Sequence, residues 1–232
     1  MARGVIKAPF FEIGPKSYLY GDDVLELALA ADKASEKYGV EIVFTCPVVE
    51  IRRVVEATKH IHVFAPHMDP IPVGRGTADT LAESLVAAGA EGTQLNHVEK
   101  PLDFETLAAT IARAKEVGLM TMVCADSMAE ASKIATLKPT CVVAEPSELI
   151  GTGISVGPEY VAAAFECVKS VDPDVLVLTA AGISNGQDVY NTIIAGADAT
   201  GSSSGVAKAA DRSAMVDEMI AACRKAWDER HA

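Results

Sequence analysis

The chain has 232 residues, 50% hydrophobic and 22% charged, which is enough apolar matter for a sizeable core and matches one α/β barrel better than two cofactor-bearing domains. A formal net charge of -12 argues against nucleic acid and anionic membranes as main partners, because phosphates are repelled over most of the surface. The five cysteines are scattered without a C-x-x-C pair, so neither a disulfide framework nor a zinc site is expected, and no apolar run approaches the ~18 residues of a membrane span; the expectation is a cytoplasmic protein with one domain over 1–232.

Short runs rich in Val, Ile and Thr alternate with longer segments of helical period, the pattern of parallel strands joined by crossover helices. A strand is predicted at Phe10–Ile13, then a helix over Asp22–Tyr38 closed by Gly39, then strands at Glu41–Thr45, His62–Ala65 and Gly92–Leu95. A helix follows over 103–117, with Asp103 as its cap and Gly118 after its end, and a strand over 120–123. The remaining units are a helix over 127–137, a strand at Cys141–Ala144, a helix over 158–171 opened by Pro158, a strand over 175–179, a weak strand over 197–201 and a helix over 213–227. Eight strands in this order predict a (β/α)8 barrel. Glycine and serine concentrate over 151–157 and 201–205, both after strands, where such barrels build their active sites.

Three segments carry residues with chemical potential. In Ala144-Glu145-Pro146-Ser147-Glu148-Leu149-Ile150-Gly151-Thr152-Gly153 a carboxylate leaves a strand and a glycine-flanked loop follows. That suits a general base beside a loop that closes, although Gly-Thr-Gly alone is a weak signal. Leu95-Asn96-His97-Val98-Glu99 puts a histidine on the same face, where a helix start would offer amide donors to one ring nitrogen and keep the imidazole neutral. Ala181-Gly182-Ile183-Ser184 and Ser202-Ser203-Ser204-Gly205 supply amides and hydroxyls in the loops after the seventh and eighth strands, a common place for a phosphate.

The stretches AEPSELIGTG, LNHVE, AAGIS and SSSGVAKA, colinear with FAPHMDP, AGAEGTQLNH and AKEVGLMTMVC, resemble the triosephosphate isomerase family, particularly its shorter archaeal-type form. The resemblance implies a proton-shuttling base at Glu145, a neutral electrophile at His97 and a positive charge at Lys16. It also implies a closing loop that includes Ile150, Gly151 and Gly153, and phosphate contacts at Gly182, Ser203 and Ser204, to which the sequence reading adds Ser184. Glu99 matches a family carboxylate near the site, and Thr77 lies in a stretch that reaches a neighbouring subunit in the family, so a dimer or tetramer is implied. The substrate would be a small phosphorylated sugar, with no cofactor and no metal.

Two positions depart from the family pattern. Where the family opens with Asn-x-Lys, this chain has Gly14-Pro15-Lys16, and Val98 stands where a serine is usual. Gly14 removes a polar side chain from the pocket and is expected to leave room there. That change favours a longer ketose phosphate, such as a tetrulose phosphate, while the overall likeness to the family keeps the triose slightly ahead. A non-catalytic barrel that binds a phosphorylated metabolite is the reading from a different class. The retained acid-base pair weighs against it.

Overall fold

Most residues of the predicted strands are apolar or small on both faces of the pleat, so each strand has two faces to bury. The computed structural model describes residues 5–232 and resolves that pattern as a closed barrel of eight parallel strands in sequence order, with β8 pairing back to β1. The strands are β1 Phe10–Ile13, β2 Glu41–Thr45, β3 Ile61–Ala65, β4 Gly92–Leu95, β5 Met120–Ala125, β6 Cys141–Ala144, β7 Leu176–Thr179 and β8 Ala199–Ser202. Around them run α1 Asp22–Tyr38, α2 Ile51–Ala57, α3 Ala82–Ala88, α4 Phe104–Glu116, α5 Met128–Ala135, α6 Pro158–Lys169, α7 Gly186–Ile194, α8 Ser204–Ala207 and α9 Arg212–Arg230.

The helices begin where side chains satisfy their first amides. Asp103 accepts from the Thr106 amide at 2.9 Å, Asn185 from Asp188 at 3.0 Å and Asp211 from Ala214 at 2.9 Å. Helix α1 ends at Gly39, whose φ of 63° is left-handed backbone that glycine adopts freely. The eighth strand begins two residues later than the sequence suggested. Asp198 precedes it, and its carboxylate accepts from the Val177 amide at 3.0 Å instead of presenting a strand side chain to the core.

Two apolar layers follow from the pleat. One lies between strands and helices and carries Phe11, Ile13, Ile42, Phe44 and Val142 among others. The second fills the barrel's interior with Phe10, Val43, Phe64, Met122, Cys141, Val143, Leu178 and Ala199. Phe64 needs the absence of a side chain at Gly92, where an added Cβ would lie 2.4 Å from its ring. This plug occupies the lower barrel. Moving one pleat toward the strand C-termini on the same inward face reaches Glu12 and Gly14 after Phe10, Thr45 after Val43, Glu145 after Val143 and Gly201 after Ala199. An apolar plug therefore carries a polar floor, and that floor opens to the loops. No described helix is long and apolar enough to cross a membrane.

Candidate active site

The cavity above this floor has a volume of about 740 Å³ and is lined by Glu12, Gly14, Lys16, Thr45, Gln94, His97 and Glu145, together with the loops after β6, β7 and β8. Backbone torsions mark its rim. Four described residues other than glycine have a positive φ, and three sit here: Lys16 at 47°, Asn96 at 57° just before His97, and Ala181 at 91° just before Gly182. Such conformations cost free energy, and they persist where surrounding contacts hold them.

Asn96 shows how the histidine turn is held. Its side-chain amide donates to the Cys124 carbonyl at 2.9 Å and to Glu130 at 3.0 Å, while its oxygen accepts from the Leu102 amide at 2.9 Å. With that turn fixed, the Glu99 amide donates to His97 Nδ1 at 3.1 Å. The donor is a turn amide, because the next helix starts only at Phe104; the expected helix start beside His97 is corrected in that respect. A neutral ring that accepts at Nδ1 carries its proton on Nε2, the nitrogen that faces the cavity. Burial, and then the Lys16 ammonium 3.2 Å from Nε2, hold His97 below its ordinary pKa, against the opposing pull of Glu99.

Glu145 stands at the end of β6, its amide bonded to the Ala125 carbonyl at 3.0 Å as a continuation of the sheet. Its carboxylate is 3.8 Å from His97 Nε2, and its side chain is 15% exposed. Burial pushes its pKa up, with Glu99 adding to the rise and Lys16 working against it. Lys16 donates to Glu99 at 2.8 Å, and that hydrogen bond holds Glu99 below the usual carboxylate range. Lys16, His97, Glu99 and Glu145 thus form one contiguous cluster, in which a buried carboxylate faces a neutral imidazole and an ammonium contacts both that imidazole and Glu99.

The loop after β6 starts from a turn over Ser147–Leu149, whose first amide is held by Asp126 at 2.6 Å. It carries Ile150, Gly151 and Gly153, the last two with φ near 75°, and meets the next loop at Gly182. An added Cβ at Gly182 would lie 2.0 Å from the Ile154 carbonyl oxygen, so the two loops touch backbone to backbone there. Ser203 and Ser204 begin α8, whose first amides have no intrahelical carbonyl to bond, and the buried Ser203 hydroxyl has no partner. Ser184 lines the cavity but is already engaged: its amide and hydroxyl both donate to Asp188, at 2.9 and 2.8 Å. It positions the loop and has less to offer a ligand than its neighbours.

Gly14 departs from expectation. The room above it is not empty, because an added Cβ would lie 2.8 Å from Oε1 of Glu12. Glu12 is not among the residues singled out from the sequence. Its signal was a carboxylate inside the apolar strand Phe10-Phe11-Glu12-Ile13, a placement that costs desolvation unless the group is used. Burial raises Glu12 to about 7, with the Glu145 charge adding to the rise and Thr45 and Lys16 opposing it.

Comparison with known proteins gives one consistent result. The family profile described as triosephosphate isomerase matches residues 16–222. Among curated proteins, a triosephosphate isomerase of Sulfolobus acidocaldarius is 36% identical over 230 residues, covering 97% of this chain and 99% of the relative. One of Methanocaldococcus jannaschii is 38% identical over 203 residues, covering 86% and 92%. Another, from Methanothermus fervidus, is 37% identical over 203 residues, covering 86% and 91%.

Proposed function

The chain belongs to the triosephosphate isomerase family, and from that premise we propose that it interconverts a small ketose phosphate and its aldose by moving one proton between adjacent carbons. The relatives' names point to triosephosphate as the substrate. The observation that carries the reading is the cluster itself, with Glu145 3.8 Å from a His97 whose ring is held neutral.

In this reading the substrate's phosphate sits among the amides of Gly182, Ser203 and Ser204, and its carbonyl oxygen faces Nε2 of His97 and the Lys16 ammonium. Glu145 removes the proton from the hydroxyl-bearing carbon. The electron pair moves into the new C–C double bond, and charge collects on the oxygen that Lys16 and His97 stabilise. His97 gives its Nε2 proton to that oxygen and takes one from the neighbouring hydroxyl, while Glu145 returns its proton to the neighbouring carbon, so nothing is consumed. The burial that raises Glu145 also strengthens it as a base once it is ionised. Closure of the loop over Ile150–Gly153 would exclude water from the enediolate, a step for which this family is itself a reference case. The proposal also includes a homo-oligomer, dimer or tetramer, for which the loop around Thr77 and the 70%-exposed Val73 are available.

The test is a coupled assay on dihydroxyacetone phosphate with Glu145→Gln as the paired variant. Turnover is expected in the parent and reduced by at least ~10³-fold in the variant, with phosphate-ligand affinity nearly unchanged. Equal cellular effect and equal ligand binding without turnover in either protein would favour the non-catalytic binder instead.

A further inference from the structure

The polar floor contains groups that the proton transfer does not use. Glu12 follows Phe10 on the inward face of β1 and is paired in register with Gly201 of β8. Two bare backbone positions flank its carboxyl: a Cβ at Gly14 would meet Oε1 at 2.8 Å, and one at Gly201 would meet Oε2 at 2.9 Å. Beside it, Thr45 is 5% exposed and its Oγ1 has no hydrogen-bond partner. That hydroxyl is close enough to the Glu12 carboxyl to hold its pKa down, and the Cβ of Thr45 is 3.7 Å from the Cβ position of Gly14. A buried hydroxyl left unpaired costs free energy, and a carboxyl on a strand above an apolar plug costs more. Both face a cavity that takes a polar ligand.

We propose that Glu12 and Thr45 form a hydroxyl-recognition subsite, with Gly14 giving access to it, and that they select a ketose phosphate carrying one hydroxyl-bearing carbon more than a triose. The inference rests on the isomerase reading and narrows its substrate class. A sugar hydroxyl is both donor and acceptor, so one such group satisfies the orphaned Thr45 oxygen and the Glu12 carboxyl together. A carboxyl near neutrality suits this task, since it accepts in one protonation state and donates in the other. A triose held by its phosphate and by His97 has no further hydroxyl to place there, and it would leave both groups unpaired. Such a mismatch is the strongest means a pocket has of rejecting the smaller substrate.

The experiment measures kcat/KM of the full chain on dihydroxyacetone phosphate and on the 1- and 4-phosphates of erythrulose, for the parent, Glu12→Gln and Glu12→Ala. The parent is expected to prefer one of the four-carbon substrates. Glu12→Ala should lower that preference by ~10- to 100-fold, the loss of one or two buried hydrogen bonds, whereas Glu12→Gln, equal in size and still able to bond a hydroxyl, retains most of it. Equal losses on the three- and four-carbon substrates in Glu12→Ala would overturn the proposal and make Glu12 a purely electrostatic neighbour of Glu145. A parent that turns over the triose alone also overturns it, while leaving the isomerase reading intact. No turnover of any of the three defeats both.

Discussion

Glu145 has to be ionised to act, and burial makes ionisation harder, so the acid limb of activity belongs above the pH of an ordinary glutamate. Its pKa is raised from 4.5, and kcat/KM is therefore expected to fall as the pH drops through a midpoint above that value. A pH profile of kcat/KM reads it directly in the free enzyme. Glu12, titrating at about 7 beside it, makes this limb the property of a coupled pair. A midpoint at or below 4.5 would contradict the buried setting. Gly182 offers a steric counterpart. With φ at 71° and the Ile154 carbonyl where its side chain would be, Gly182→Ala has to push the loop after β6 away. A displacement of about 1 Å there is expected to cost on the order of 10²-fold in kcat/KM. Unchanged kinetics would show that the two loops do not act as one unit. At this scale Glu145 and His97 were legible because each follows a strand on one predicted face, and Lys16 only through the family resemblance. Glu12 was not, because it lies inside the strand and only the pleat, combined with the bare Gly14 and Gly201 beside it, gives it a role.

Among elements, the turns that carry the reactive groups are held from neighbouring strands. Asn96 ties the His97 turn to β5 and to α5 with one hydrogen bond each and accepts a third from Leu102 in its own loop, and Asp126 ties the turn after Glu145 to the end of β5. Asn96→Ala would leave the Leu102 amide and the Cys124 carbonyl without these partners. It is expected to cost about 1–3 kcal/mol in urea unfolding and to lower kcat more than it raises KM. Full stability and full activity together would contradict the anchoring. The strands and long helices were readable because their periodicity extends over enough residues to be distinctive. Four helices were not. Helix α2, IRRVVEA, is β-branched in composition, α3 spans seven residues and α8 four, and α7, GQDVYNTII, begins with glycine and ends with Thr-Ile-Ile. Intrinsic propensity opposes α2 and α7, and short helices form chiefly through packing against the barrel.

For the molecule as a whole, stability and activity are set at opposite ends of the barrel. At the strand N-terminal end His62, 4% exposed, lies 2.6 Å from Glu91 and 3.5 Å from Glu41. Despite burial, these two carboxylates raise it from 6.5 to about 9. A raised folded-state pKa stabilises the protein fully below 6.5, and the contribution disappears as the pH rises through about 9. Unfolding free energy is therefore expected to decline across that window by no more than about 3 kcal/mol, and a His62→Gln variant should lose most of the decline. A parent equally stable at pH 6 and pH 9.5 would contradict the clamp. The net charge of -12 gave no hint of this arrangement or of the ammonium that Lys16 places in the cavity, because composition reports the sum of charges and not their placement.

Proton transfer by Glu145 is most directly tested by incubating dihydroxyacetone phosphate and the erythrulose phosphates with the protein in D₂O and following solvent deuterium into carbon-bound positions by NMR. Deuterium should enter the carbon beside the carbonyl with the parent protein and not measurably with Glu145→Gln, at substrate concentrations that saturate both. Exchange in Glu145→Gln at the parent's rate would contradict the account, since some other group would then be moving the proton.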